Sequence, residues 1–223
     1  VTRPLIISVI IFLITVISLV LWWYFRPTVR LLQVGDSFTY VDREGHRFIV
    51  TVSALDPVTG NLAMDGDSAS RRGQTADFFA FRAVVKQRGR WFEILHLALD
   101  DPRDQCSLKR GETGRGFLFF PVKWVRARTK SFGFRISCEM EGSFVMRGAA
   151  SPGAQIRITV PAGKFAVRPV SVSATIGVSS SAVGSADLWV SPELGFPVKI
   201  LLVAEGRRYE LSLVEYKLAS NRS

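Results

Sequence analysis

Few residues of this 223-residue chain are of the types that do chemistry: two histidines, His46 and His96, two cysteines, Cys106 and Cys138, and some small carboxylate clusters. It contains no Gly-x-Ser-x-Gly elbow and no His-Glu-x-x-His, so nucleophilic acyl transfer and zinc hydrolysis lack their usual parts. His96 lies in the alternating run EILHLAL, where a half-buried, hydrogen-bonded imidazole accounts for it better than a ligand does. The stretch GETGRG, Gly111 to Gly116, has the glycines of a phosphate loop but not the Lys-Ser/Thr that follows them, and reads as a hairpin tip. The carboxylates of DGD, Asp65 to Asp67, and DDPRD, Asp100 to Asp104, lack the length and ligand spacing of a calcium loop and read as solvated turns. The expectation is a non-catalytic protein with no cofactor and no metal-ligand set.

Cys106 and Cys138 are even in number and lie in strand-rich surroundings. A disulfide between them would contribute roughly 3 to 4 kcal/mol by restricting the unfolded chain, and it would persist in an oxidising compartment. Two buried free thiols satisfy the same pattern, because spacing alone does not bring two Cα atoms within bridging distance. No Cys-x-x-Cys suggests a metal or redox pair.

The most uneven feature is basic. Lys and Arg number 29 against 19 Asp and Glu, a net charge of +10, and the stretch from Arg103 to Arg135 holds nine basic residues against two acids. Within it Trp124, Arg126, Arg128 and Lys130 fall at period two, so on a strand they share one face. That face is either solvated, its charges protecting a sheet edge, or a contact for anionic headgroups or an acidic protein surface. Nucleic acid is not expected as a partner.

These residues need positioning, and the chain begins with an element that fixes location. Leu5 to Phe25 is an uncharged run of 21 residues. At 1.5 Å rise per residue, a helix of that length spans roughly 30 Å, the hydrocarbon thickness of a bilayer. The run ends in Trp22, Trp23, Tyr24, Phe25, Arg26 and Pro27, an interfacial aromatic belt rather than the small residues of a cleavage site. Arg3 on one side and Arg26 and Arg30 on the other leave the positive-inside count nearly tied. The division expected is a tail at 1–4, a transmembrane helix at 5–25, a connector at 26–33, a β-rich extramembrane domain at 34–218 and a tail at 219–223.

The remainder has strand periodicity. SFTYVDRE and RFIVTVSAL flank Gly45-His46, and FFAFRAVVK and RWFEILHLAL flank a turn at Gln87 to Gly89, both as hairpins. Alternating runs continue from Phe117 to Met140 and from Ala154 to Leu218, punctuated by Pro161-Ala162-Gly163, Ser191-Pro192 with Gly195, and Glu205-Gly206. No amphipathic helix of soluble type stands out. The predicted fold is mostly β: a single N-terminal transmembrane helix followed by an antiparallel β half-barrel or sandwich-like domain.

ITVPAGKFAVRPVSVSA (Ile158 to Ala174), ADLWVSPELGFPVKILL (Ala186 to Leu202) and YELSLVEYKL (Tyr209 to Leu218) resemble the closing half of bacterial envelope β-proteins of the DUF3108-like, half-barrel type. VGDSFTYVDREG, Val34 to Gly45, resembles their first strand. The matched positions are turn formers and strand apolars, so the resemblance implies a fold and a periplasmic place, and brings no catalytic residues with it. It breaks the orientation tie: the N-terminus is expected in the cytoplasm and the domain in the periplasm of a single-pass inner-membrane protein.

Two functions compete on this reading. One is a non-catalytic accessory subunit whose domain braces or caps a larger inner-membrane complex, with other membrane-protein subunits and lipids as partners. Ser8, Thr15 and Ser18 offer its span a contact stripe. The other is a half-barrel holding a lipophilic ligand among Phe79, Phe81, Trp91, Phe117 and Phe119, residues that ordinary core packing explains equally well.

Overall fold

The computed structural model describes residues 30–69, 80–88, 91–100, 105–110, 117–121, 129–139, 142–176, 184–204 and 207–220. The apolar run at 5–25, with Trp22, Trp23 and Tyr24, lies outside them, as does GETGRG. Among the described residues no helix is long and apolar enough to cross a membrane.

Strand follows strand: β1 (Ser37–Val41), β2 (Arg47–Leu55), β3 (Asn61–Ala69), β4 (Ala80–Arg88), β5 (Trp91–Asp100), β6 (Gln105–Arg110), β7 (Phe117–Pro121), β8 (Lys130–Cys138), β9 (Gly142–Pro152), β10 (Ile156–Val160), β11 (Gly163–Ile176), β12 (Gly184–Ser191), β13 (Phe196–Ala204) and β14 (Arg207–Lys217). The local cause is alternation. In β2, Phe48, Val50 and Val52 are buried while Arg47, Ile49 and Thr51 are not, which is what a wall wet on one side requires. Gly45 closes the β1–β2 hairpin at φ 88°, a conformation that costs glycine nothing.

All pairings are antiparallel and belong to one sheet, ordered β10-β11-β12-β13-β14-β1-β2-β3-β4-β5-β6-β8-β9, with β7 set against β5. The sheet then pairs back on itself, because β9 meets β11 from Val170↔Pro152 to Ile176↔Met146. The first strand meets the last as well, Ser37 opposite Lys217. The architecture is therefore a barrel-like antiparallel sheet rather than a sandwich. The middle of the chain, between the stretches that carry the resemblance, supplies the wall from β3 to β9.

Inward residues of β1–β4 and β11–β14 form most of the core, joined by Phe132, Ala150 and Val160 of β8–β10, and Phe38, Tyr40, Val52, Val167, Val198 and Leu213 are fully buried. Burying each such side chain contributes roughly 1.5 to 3 kcal/mol. Phe38 stacks on Phe196 with ring centroids 4.4 Å apart. The hydroxyl of Tyr40, sealed from water, donates to the Pro197 carbonyl at 2.5 Å. The β10–β11 hairpin bends over one end of this core: the buried set shifts from Phe165 and Val167 to Val170 and Val172 across Arg168-Pro169, and Ala162 N–H donates to Leu213 O.

Two expectations need correction. DGD is not a solvated turn but part of β3, where Gly66 faces inward beneath the ring of Phe81 and Asp65 faces out to pair with Arg82 at 2.9 Å. The first strand also ends earlier than SFTYVDRE suggests, at Val41, because Asp42 accepts the Glu44 and His46 N–H groups and turns the chain.

Candidate functional site

β1 begins, β2 ends and β14 ends on one rim of the barrel, since Ser37 pairs with both Lys217 and Thr51. The antiparallel ladders place on this rim the turns Asp56 to Gly60 and Pro192 to Gly195, the Arg88↔Trp91 end of β4–β5, the end of β7 at Pro121 and the start of β8 at Lys130. The chain enters the barrel here, at Arg30.

Arg30 is held at four points. Its N–H donates to Pro192 O at 2.9 Å. Its carbonyl lies so close over Gly195 that a Cβ there would overlap it. The guanidinium forks onto Asp36, Nη1 to Oδ2 at 2.6 Å and Nη2 to Oδ1 at 2.9 Å, and Nη2 also reaches Ala219 O at 3.5 Å. Two-point pairing of this kind fixes orientation as well as distance.

Asp36 is the centre of the joint. It is fully buried, and besides Arg30 it accepts the N–H of Gln33 at 2.8 Å and of Ala219 at 2.8 Å. Burial pushes its carboxyl pKa up, but the hydrogen bonds from Arg30, Gln33 and Ala219, with the charge of Arg30, outweigh that and hold it below the usual carboxylate value. A buried carboxylate without such partners would cost several kcal/mol.

The socket has local causes. In Ser191-Pro192-Glu193-Leu194-Gly195 the buried Ser191 accepts Gly195 N–H at its carbonyl and Leu194 N–H at its hydroxyl, so the turn is tight and keeps Pro192 O free to receive Arg30. Gly195 sits at φ 67°, the left-handed region, where the absence of a side chain also leaves room for the Arg30 backbone. The two stretches that carried the family resemblance, VGDSFTY and SPELGFP, thus meet at one joint.

Other polar clusters are self-contained. Asp42, Glu44 and His46 bring ligand-type atoms within 4.8 Å of one another at the β1–β2 turn. Asp42 bonds His46 Nδ1 at 2.8 Å and two backbone N–H groups of the same turn, so closure of the hairpin accounts for the cluster. Glu210 joins Lys199 at 2.6 Å and Arg43 at 2.5 Å on the outer wall, and Lys199 lies 5.5 Å above the Trp189 ring. This network ties β13 and β14 to the β1–β2 turn on the outside of the wall. His96 is half-buried on β5, opposite Val84 and Lys109.

The residues singled out from the sequence are distributed unevenly. Cys106 and Cys138 stand directly opposite each other in the β6–β8 ladder. Opposed Cα atoms in such a ladder lie about 4.5 to 5.5 Å apart, inside the range a disulfide spans. Lys130 opens β8 on the entry rim, while Arg126 and Arg128 lie outside the described residues. Phe81 covers Gly66 and lies 5.9 Å from the Phe48 ring, so it belongs to the wall packing. Arg30, Asp36, Gly195 and Ala219 were not foreseen as a group. The only sequence signal was Asp36 directly after the turn-forming Gly35 and just before an alternating run.

No protein-family model matches the chain, and no curated protein matches it either. Two solved structures share its fold. One, from Bacteroides fragilis, is assigned as exported with a YmcC-like fold; it is 11% identical, covers 83% of this chain and 97% of its own, and superposes with a TM-score of 0.55. Another, assigned as a lipoprotein of Parabacteroides distasonis, is 12% identical, covers 83% of this chain and 96% of its own, and gives 0.50. At such identities the likeness is one of fold.

Proposed function

We propose that the protein is a non-catalytic, membrane-anchored accessory subunit whose periplasmic barrel-like domain braces or caps a larger inner-membrane complex. The observation that carries this reading is the Arg30 joint. Residues 26–33 connect a bilayer-length apolar run to the domain, and from Arg30 on the chain is pinned by Asp36, Pro192, Gly195 and Ala219. A freely diffusing carrier domain gains from a loose tether; a brace needs its domain held at a set angle to its span. The envelope location rests on that apolar run with its Trp22, Trp23 and Tyr24 belt, on the DUF3108-like resemblance, and on fold relatives assigned as exported or as lipoproteins.

The test is purification of the full chain from membranes in mild detergent. Co-migrating membrane subunits support the brace; a solitary protein carrying stoichiometric lipid refutes it. That second outcome is the alternative reading, a barrel holding a lipophilic ligand. It is favoured by Ile200, Leu202 and Tyr209, which share the inner register of buried Leu188 and Leu211 yet are only half-buried.

A further inference from the structure

The β2–β3 hairpin closes on the entry rim. Ser53 to Gly60 are exposed, whereas the returning strand joins the wall at once, Asn61 opposite Lys86 and the buried Leu62 opposite Val85. Thr51 is opposite Ser37 and Asp65, and Leu55 is opposite Leu62, so with the bulge at Ser53 the hairpin runs about 10 Å along its strands past the start of β1. Apolar side chains stand exposed at its end beside the polar Asp56 and Thr59: Val58 is 89% exposed and Leu55 52%, with Asp56 and Pro57 between them.

The tip is also sealed against hydrogen-bond loss. Asp56 N–H donates to Asn61 O, and Gly60 N–H to Asp56 O. Val58 and Thr59 N–H donate to Asp56 Oδ1, and Asn61 N–H reaches Thr59 Oγ1 at 3.4 Å. Pro57 has no N–H. Every backbone donor from Asp56 to Asn61 is therefore used inside the loop, which is what a segment entering a low-dielectric layer requires.

We propose that this tip, Leu55 with Pro57 and Val58, is a second membrane contact, seated in the interfacial layer of the same bilayer that receives the N-terminal run. The proposal rests on the reading of residues 5–25 as a span. Four residues separate Phe25 from the pinned Arg30, and a fully extended chain covers at most about 18 Å over those five Cα-to-Cα steps. The entry rim is thus tethered close to the lipid surface, and the hairpin overhang is of the same order as the gap. Leu31 and Val34, 49% and 45% exposed, add apolar surface on that rim. The second contact would reinforce the angle that the Arg30 joint sets, by resisting tilt of the domain about that joint.

The experiment uses the full chain in nanodiscs of phosphatidylcholine and phosphatidylglycerol, with a genetically encoded environment-sensitive fluorescent residue at position 58, at position 55, or, as a far-rim control, at Ser185. Flotation with lipid first establishes that the chain is membrane-embedded. Expected are a blue-shifted emission at 58 and 55 and quenching by lipids labelled near the headgroup, with Ser185 unaffected. Water-like emission at both hairpin positions in floating material overturns the second contact and leaves the anchor standing. Failure to float overturns the anchor and the contact together.

Discussion

The backbone carbonyl of Arg30 lies against the open face of Gly195, in the space that a side chain on residue 195 would fill. Gly195→Ala is therefore expected to act twice, by forcing alanine into a left-handed conformation, costing about 1 to 2 kcal/mol, and by pushing the entering chain off the rim. Gly45→Ala is the control, since Gly45 also has positive φ but nothing lies near its missing Cβ. Thermal unfolding should fall for both, while new proteolysis at residues 26–33 should appear for Gly195→Ala alone. Equal proteolysis of the two variants would sink the idea.

The Asp36 carboxyl makes the joint acid-sensitive. Its folded-state pKa is lowered below the unfolded value of about 3.9, so the stabilisation is fully present above that value and is lost as pH falls through the folded pKa. Asp36→Asn is expected to cost roughly 3 kcal/mol at neutral pH, the low end for breaking a buried pair, because Arg30 is partly exposed. The melting-temperature gap between wild type and variant should close as pH drops below about 4. A gap independent of pH would remove the carboxylate from the account.

Direct opposition of Cys106 and Cys138 in the β6–β8 ladder leads us to expect a disulfide in protein isolated from its membrane. Alkylation without reductant, followed by mass spectrometry, should find both thiols unreactive, and reductant should expose them together. Two cysteines alkylated freely after denaturation would refute the bond and weaken the case for an oxidising compartment.

If Arg126, Arg128 and Lys130 share a solvent-facing strand face, as their period-two spacing predicts, changing them together to Ser should leave membrane insertion and folding nearly intact, since surface substitutions usually shift stability by less than about 0.5 kcal/mol. Recovery of the partner complex should nevertheless drop, and the deficit should shrink as salt screens the wild-type attraction too. Co-purification across a salt series in detergent measures this. Wild-type recovery at every salt concentration would make the stretch a solvated face.

What the sequence disclosed follows from how local each cause is. β2 was legible to the residue, Arg47–Leu55, because every inward position carries a large apolar side chain. β3 was hidden: its inward positions run Leu62, Met64, Gly66, and the glycine between two aspartates imitates a turn until Phe81 on β4 is seen to fill the space above it. β9 was hidden by its small residues, Gly148 lying under the ring of Phe132. The joint was least legible of all. Arg30 looks like one more connector charge, and its partners Pro192 and Ala219 are brought to it only by ladders that join the two ends of the domain.

That same long separation gives the joint a meaning in time. Arg30 is among the first domain residues made, and Ala219, which both gives a hydrogen bond to Asp36 and takes one from Arg30, is among the last, 189 residues later. At about 5 to 20 residues per second, roughly 10 to 40 s of synthesis separate them. For most of that interval Arg30 and Asp36 have each other but not the Pro192 socket, and through all of it they lack the Ala219 backbone. A chain stalled or cut short anywhere before β14 keeps a loose neck, and a stiff neck is the mark of a closed barrel.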